Sequence, residues 1–122
     1  MKAFVLAALG GALGAALRYG AGLWAAKIFG AGFPIATLGV NIFGGFAMGL
    51  LVGCVPLGDR NAHLFWGVGL LGGFTTFSAF SIELVRLMEQ GDAGLALGYA
   101  LASVVAATIA CYAGLVLARS FA

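Results

Sequence analysis

The chain has 122 residues, of which 63% are hydrophobic and 8% charged, with a formal net charge of +2. A soluble domain carries about 25% charged residues, so this composition cannot cover a globular surface and points to an all-α integral membrane protein. Six basic residues scattered along such a chain make no nucleic-acid patch, so no nucleic-acid partner is expected.

A transmembrane helix needs about 20 largely apolar residues, and four windows satisfy this: roughly 3–28, 34–55, 62–87 and 93–118. They read as one four-helix transmembrane domain covering 1–122, embedded in a lipid bilayer. The opening "MKAFVLAALGGALGAAL" has the look of a signal peptide, but the apolar pattern runs on to Ala26, long enough to span. Span one carries Arg18 and Tyr19, and Gly10 and Gly14 form a small-xxx-small pair. In lipid such pairs let backbones approach closely.

Span two carries Thr37 and Asn41 one turn apart, with Gly44, Gly45 and Met48 continuing that face. Gly45, Gly49 and Gly53 form a second small-residue run. Pro34 and Pro56 fall at span edges, where proline is tolerated. Cys54 and Cys111 sit in apolar runs without metal-ligand spacing and read as buried reduced thiols. His63 reads as an interfacial residue at the edge of span three.

Span three contains "GLLGGFTTFSAFS", residues 69–81. At 26 residues it would be about 39 Å long as one helix, longer than the ~30 Å hydrocarbon core. Gly72, Gly73, Thr75 and Thr76 are weak helix formers at its centre, so a break is expected there. Non-helical backbone at that depth must be buried in protein or line a cavity. Freed carbonyls suit a small hard cation; freed amides and hydroxyls suit an anion. An intact helix whose hydroxyls bond back to the preceding turn is the simpler alternative. Phe77 and Phe80 share a face after the break. They read either as core packing or as ring edges that touch an anion weakly. Glu83 is the only carboxylate inside a span, and Arg86 stands three positions on, where it pairs with Glu83 or leaves it to line a vestibule.

Span four carries Tyr99 and Ser103 one turn apart, with Ala107 next on that face. Thr108 points about 100° away on an ideal helix. Gly94 and Gly98 form a third small-residue pair. The polar stripes of spans two and four, together with the third span, favour a lined pathway over simple packing bonds. Lys2, Arg60 and Arg119 lie on one side of the membrane and Lys27, Arg86 and Arg18 at or near the other. The positive-inside difference is therefore close to zero. That is either the poor statistics of a short chain or the mark of a protein that inserts both ways as an antiparallel homodimer.

"GGALGAALRYG", "TLGVNIFGGFAMG" and "GLLGGFTTFSAFS" together resemble the Fluc (CrcB) family of fluoride channels over the whole chain. The resemblance implies a passive fluoride exporter, not an enzyme, in the cytoplasmic (inner) membrane, built as an antiparallel dual-topology homodimer with a broken third helix. It implies two fluoride pores and one structural sodium ion held by the backbone carbonyls of Gly72 and Thr75. Asn41, Phe77, Phe80, Tyr99 and Ser103 then line the fluoride pore. Arg18 stands at the aqueous mouth, and Thr76 and Ser78 belong to the hydroxyl-bearing break; Thr37 and Glu83 go with this vestibule and break region. Ala107 departs from the family pattern, which often has a further hydroxyl there. A small multidrug resistance transporter is the runner-up, but it needs a deep glutamate in span one, which has none. A non-transporting assembly subunit would use the same polar residues only as packing.

Overall fold

The computed structural model describes residues 1–121. Four long helical passes are apolar enough to cross a membrane: Lys2–Phe29, Ile35–Cys54, Arg60–Glu89 and Ala93–Ser120. The first two are α1 and α2. The third is divided into α3, residues 60–74, and α4, Phe77–Glu89. The fourth is α5. No strand occurs among the described residues.

Short capped turns join the passes. Gly30 ends α1 at φ 74°, and its amide donates to Ala26 O at 3.1 Å. Gly91, at φ 84°, ends the turn after α4, where Asp92 N reaches back to Leu87 O at 3.1 Å. Only glycine enters this left-handed region without a Cβ penalty. Pro34 precedes α2, where its missing amide costs no helix bond. Asp59 caps α3 by accepting from Ala62 N at 3.1 Å.

Inside α3, His63–Leu71 forms nine residues of π-helix. Such backbone makes up well under 1% of residues in proteins, and apolar periodicity carries no signal for it.

The helices pair across the sequence: α1 packs chiefly on α3, and α2 on α5. Glycine makes both seams. A Cβ at Gly69 would come within 2.8 Å of Ala7 O on α1, and one at Gly45 within 2.7 Å of Ala107 O on α5. Gly14 meets Leu70 O, Gly49 meets Cys111 O and Gly114 meets Phe46 O, each backbone against backbone. The first two small-residue runs therefore work within the chain. Gly94 and Gly98 meet nothing within 4 Å and make no such contact within it.

A small core of Phe80, Leu87, Ala96 and Tyr99 joins α4 to α5, with Phe33 and Leu84 packed on it. Val40 and Leu71 are also buried, but many apolar side chains point outward: Leu9, Leu17, Leu23, Leu97, Val104 and Ile109 are all exposed. This inside-out distribution suits an apolar solvent.

Gly49→Ala should lower the unfolding free energy in detergent by about 1–3 kcal/mol, because the new methyl overpacks a backbone contact. Gly94→Ala, with open space around it, should shift stability by no more than about 1 kcal/mol, and toward greater stability. Thermal melts of the two purified variants against the parent check this contrast.

Candidate functional site

The break falls at the two threonines of the expected stretch, not at its glycines. Gly72 and Gly73 remain helical with Phe74. The chain then opens at Thr75 (φ −81°, ψ 159°) and Thr76 (φ −154°, ψ 126°) before α4 begins. Glycine costs little where neighbouring backbones press close, whereas the threonine hydroxyls supply the bonds that an interrupted helix lacks. Thr75 Oγ1 donates to Leu71 O at 2.9 Å, beside the Thr75 amide on the same oxygen at 2.9 Å. Thr76 Oγ1 accepts from Ala79 N at 3.2 Å as the cap of α4, with Ser78 Oγ 3.3 Å away.

Two side chains from other helices complete the break. The Asn41 amide grips Thr76 at both ends: Asn41 Oδ1 accepts from Thr76 N at 2.8 Å, and Asn41 Nδ2 donates to Thr76 O at 3.0 Å. Arg18 Nε donates to Gly73 O at 3.1 Å. Sequence reasoning placed Asn41 beside the aromatic rings and Arg18 at a mouth; it missed that both hold broken backbone. The available signal was chemical. Asparagine alone among the side chains of α2 carries a donor and an acceptor on separate atoms, which lets it meet the N–H and the C=O of one interrupted residue together.

A cavity beside the break is bordered by Asn41, Thr75, Thr76, Phe77, Phe80 and Ser103. The Phe77 and Phe80 rings lie 5.5 Å apart, and Phe80 lies 5.2 Å from the Tyr99 ring. Phe80 is 8% exposed and Phe77 77%, so this one chain covers only half of the aromatic pair. Ser103 Oγ is buried without a hydrogen-bond partner among the described residues. A buried hydroxyl without a partner costs roughly 1–3 kcal/mol. Ala107 and Thr108 both border the same cavity.

Tyr99 stands behind this cavity and serves a different group. Its hydroxyl donates to Glu83 Oε2 at 2.9 Å, while Thr37 Oγ1 donates to Glu83 Oε1 at 2.8 Å. The pairing of Glu83 with Arg86 within one helix is therefore not what forms. Glu83 turns between α2 and α5, where two hydroxyls meet its two oxygens, and Arg86 lies exposed. Arg18, Thr37, Thr76 and Glu83 border a second cavity, behind the break. The structure thus gathers the sequence-predicted residues into two groups. Asn41, Phe77, Phe80 and Ser103 lie in one; Arg18, Thr37 and Glu83 lie in the other, with Tyr99 between. Thr76 borders both. Ser78 is exposed beside the break, and Gly72 is exposed on α3. Among the described residues no group of three or more His, Cys, Asp and Glu could hold a metal ion.

A chain that crosses the membrane four times, breaks one crossing midway and sets hydroxyls, an amide and aromatic rings around the break has the construction of a multi-pass ion-permeation protein. The family model described as CrcB-like protein, Camphor Resistance (CrcB), matches residues 5–115, and the chain belongs to that family. Similar proteins carry the name Fluoride-specific ion channel FluC. The one from Phenylobacterium zucineum is 46% identical over 123 residues, covering 98% of this chain and 97% of its own. The one from Sphingopyxis alaskensis is 50% identical over 114 residues (91% and 90%). The one from Thermus thermophilus is 45% identical over 116 residues (93% and 91%). These relatives are named as channels, not as enzymes.

Tyr99→Phe and Thr37→Val should each cost about 0.6–1.7 kcal/mol of stability. Each cost should shrink in a Glu83→Leu background, giving a coupling of about 1 kcal/mol in a double-mutant cycle. Arg86→Gln should stay within about 0.5 kcal/mol of the parent. Denaturant unfolding in detergent measures all of these.

Proposed function

We propose that this protein is a fluoride-selective channel that exports fluoride passively across the cytoplasmic membrane and so lowers cytoplasmic fluoride. The observation that carries this reading is the cavity in which the unpartnered Ser103 hydroxyl and the Phe77–Phe80 ring pair share one wall system. Fluoride is small and strongly hydrated, so a pathway must replace its water with donors. Ser103 Oγ has an O–H to give, and the second N–H of Asn41 Nδ2 is not needed for the bond to Thr76. Ring edges carry partial positive charge and attract an anion weakly. Conduction needs that balance: affinity enough to enter, and not so much that the ion stays. A lysine in place of Phe80 would trap the anion. Arg18, Thr37, Thr76, Ser78 and Glu83 form the polar vestibule and break around this path, and Tyr99 supports it from behind.

The working unit in this reading is an antiparallel dual-topology homodimer with two fluoride pores. Three features support it: the exposed ring of Phe77 in mid-span, the apolar outer faces and the balanced Lys/Arg count. A second copy would cover Phe77 and close the cavity. A structural sodium ion fits the backbone at the break. The carbonyls of Gly72 and Thr75 meet no donor among the described residues, and neutral carbonyl oxygens suit a small hard cation. Gly72 and Thr75 of each copy would hold it, and its charge would offset carbonyl dipoles that otherwise repel one another.

Liposomes carrying the purified protein test the function. Under a potassium–valinomycin gradient, fluoride should leave rapidly and chloride negligibly; equal efflux of both, or none, would refute the reading. Phe80→Ile should leave assembly intact and cut fluoride flux by at least about tenfold, the effect of 1.4 kcal/mol on a barrier. Unchanged flux would remove the ring edge from the mechanism. Asn41→Ala should also cut flux. A C-terminal topology reporter should show both orientations in comparable amounts, and a single fixed side would rule out the antiparallel dimer.

A further inference from the structure

Three side chains decide which carbonyls of the broken helix stay open. In an unbroken helix each amide closes on the carbonyl four residues earlier. Thr76 N would close on Gly72 O, Phe77 N on Gly73 O and Ala79 N on Thr75 O. Here Thr76 N goes to Asn41 Oδ1 at 2.8 Å, and Ala79 N goes to Thr76 Oγ1 at 3.2 Å. Gly72 O and Thr75 O each lose the one amide that an intact helix would have supplied. The intervening Gly73 O is not left open, because Arg18 Nε takes it at 3.1 Å. Leu71 O is filled twice, by the amide and the hydroxyl of Thr75. Phe74 O meets no donor among the described residues and is the one further open oxygen at the end of α3.

We infer that Asn41, Thr76 and Arg18 are positioning residues for a sodium site at the break, and that they act by sorting its backbone carbonyls into open and closed. This inference rests on the sodium reading proposed above. None of the three side chains need touch the ion. Asn41 and Thr76 each hold an amide away from an oxygen that would otherwise be a helix acceptor, and Arg18 occupies the oxygen between them. The polar contacts of Asn41 thus serve two purposes: its bonds to Thr76 keep Gly72 O open, and its amide borders the cavity bearing the aromatic rings. Loss of the Thr76 hydroxyl would let Ala79 N return to Thr75 O. A cation would then have to displace a backbone hydrogen bond before it could bind.

The test is the sodium dependence of thermal unfolding of the purified full-length protein in detergent. Sodium chloride is titrated against N-methylglucamine chloride at constant ionic strength, with size-exclusion chromatography on each variant. The parent should be stabilised by sodium with a definite midpoint. Thr76→Val should raise that midpoint about tenfold, the equivalent of the ~1.4 kcal/mol held in one backbone hydrogen bond. Thr76→Ser, which keeps the capping oxygen, should restore the midpoint to within about twofold of the parent. A valine that merely loosened packing would lower the melting temperature equally in sodium and in N-methylglucamine. Asn41→Leu should also raise the midpoint, whereas Asn41→Asp, which still accepts from Thr76 N, should not. That pair carries the test should Thr76→Val fail to fold. A parent that does not respond to sodium would overturn the cation reading and this inference with it. A responsive parent with an unchanged midpoint in Thr76→Val or Asn41→Leu would overturn the sorting role alone.

Discussion

The architecture depends on how an interrupted backbone is satisfied where there is no water. A helix that stops in mid-membrane strands amides and carbonyls, each costing several kcal/mol in hydrocarbon. The two-ended grip of Asn41 on Thr76 answers this with one side chain from a neighbouring helix. It fixes the depth of the break relative to α2. Because α2 is seated on α5 through glycine contacts, it also fixes the break relative to Ser103 and Tyr99. Arg18 does the same from α1. The cavity walls come from separate elements, and Asn41 and Arg18 tie α2 and α1 to the broken backbone itself.

Backbone seams explain how so small a chain holds such a site. With lipid on the outside there is no hydrophobic drive pushing helices together, so dispersion between closely approaching backbones must do it. Gly10, Gly14, Gly69 and Gly73 bring α1 onto α3, while Gly45, Gly49 and Gly114 bring α2 onto α5. The larger side chains are thereby released to the outer surface and to the small cluster around Phe80 and Tyr99. The polar groups cost least where they are paired. Glu83 is the clearest case, since each of its two carboxyl oxygens accepts from a hydroxyl on a neighbouring helix.

The four crossings, the approximate break and most of the candidate residues were legible in the sequence, because each follows from composition or local spacing. Apolar run length gives the spans; Thr75 and Thr76 mark the break; the spacing of Phe77 and Phe80 gives their shared face. What was not legible depended on distances between helices. Glu83 and Arg86 are three positions apart and look paired, yet the partners of Glu83 are 46 and 16 residues away. Asn41 looked like an ion contact because nothing local shows that its partner peptide is 35 residues on. The glycine patterns of spans one, two and four looked alike, but the last meets open space within the chain. The π-helical stretch has no counterpart in hydrophobic periodicity at all.

That stretch, His63–Leu71, works as a length buffer. Its i→i+5 bonding closes loops one residue longer than the i→i+4 loops of an α-helix. Loss of a single residue at 63 or 64, ahead of the contacts that Phe65, Gly69 and Leu70 make with α1, would be absorbed by reversion to α-helix, leaving Gly73 on α1 and Thr76 on Asn41. The same deletion in α4 would have no such slack. It would rotate Phe80 and Glu83 by about 100° relative to Phe77 and scatter their partners. Single-residue deletions should therefore be better tolerated at the start of the third crossing than in its C-terminal half.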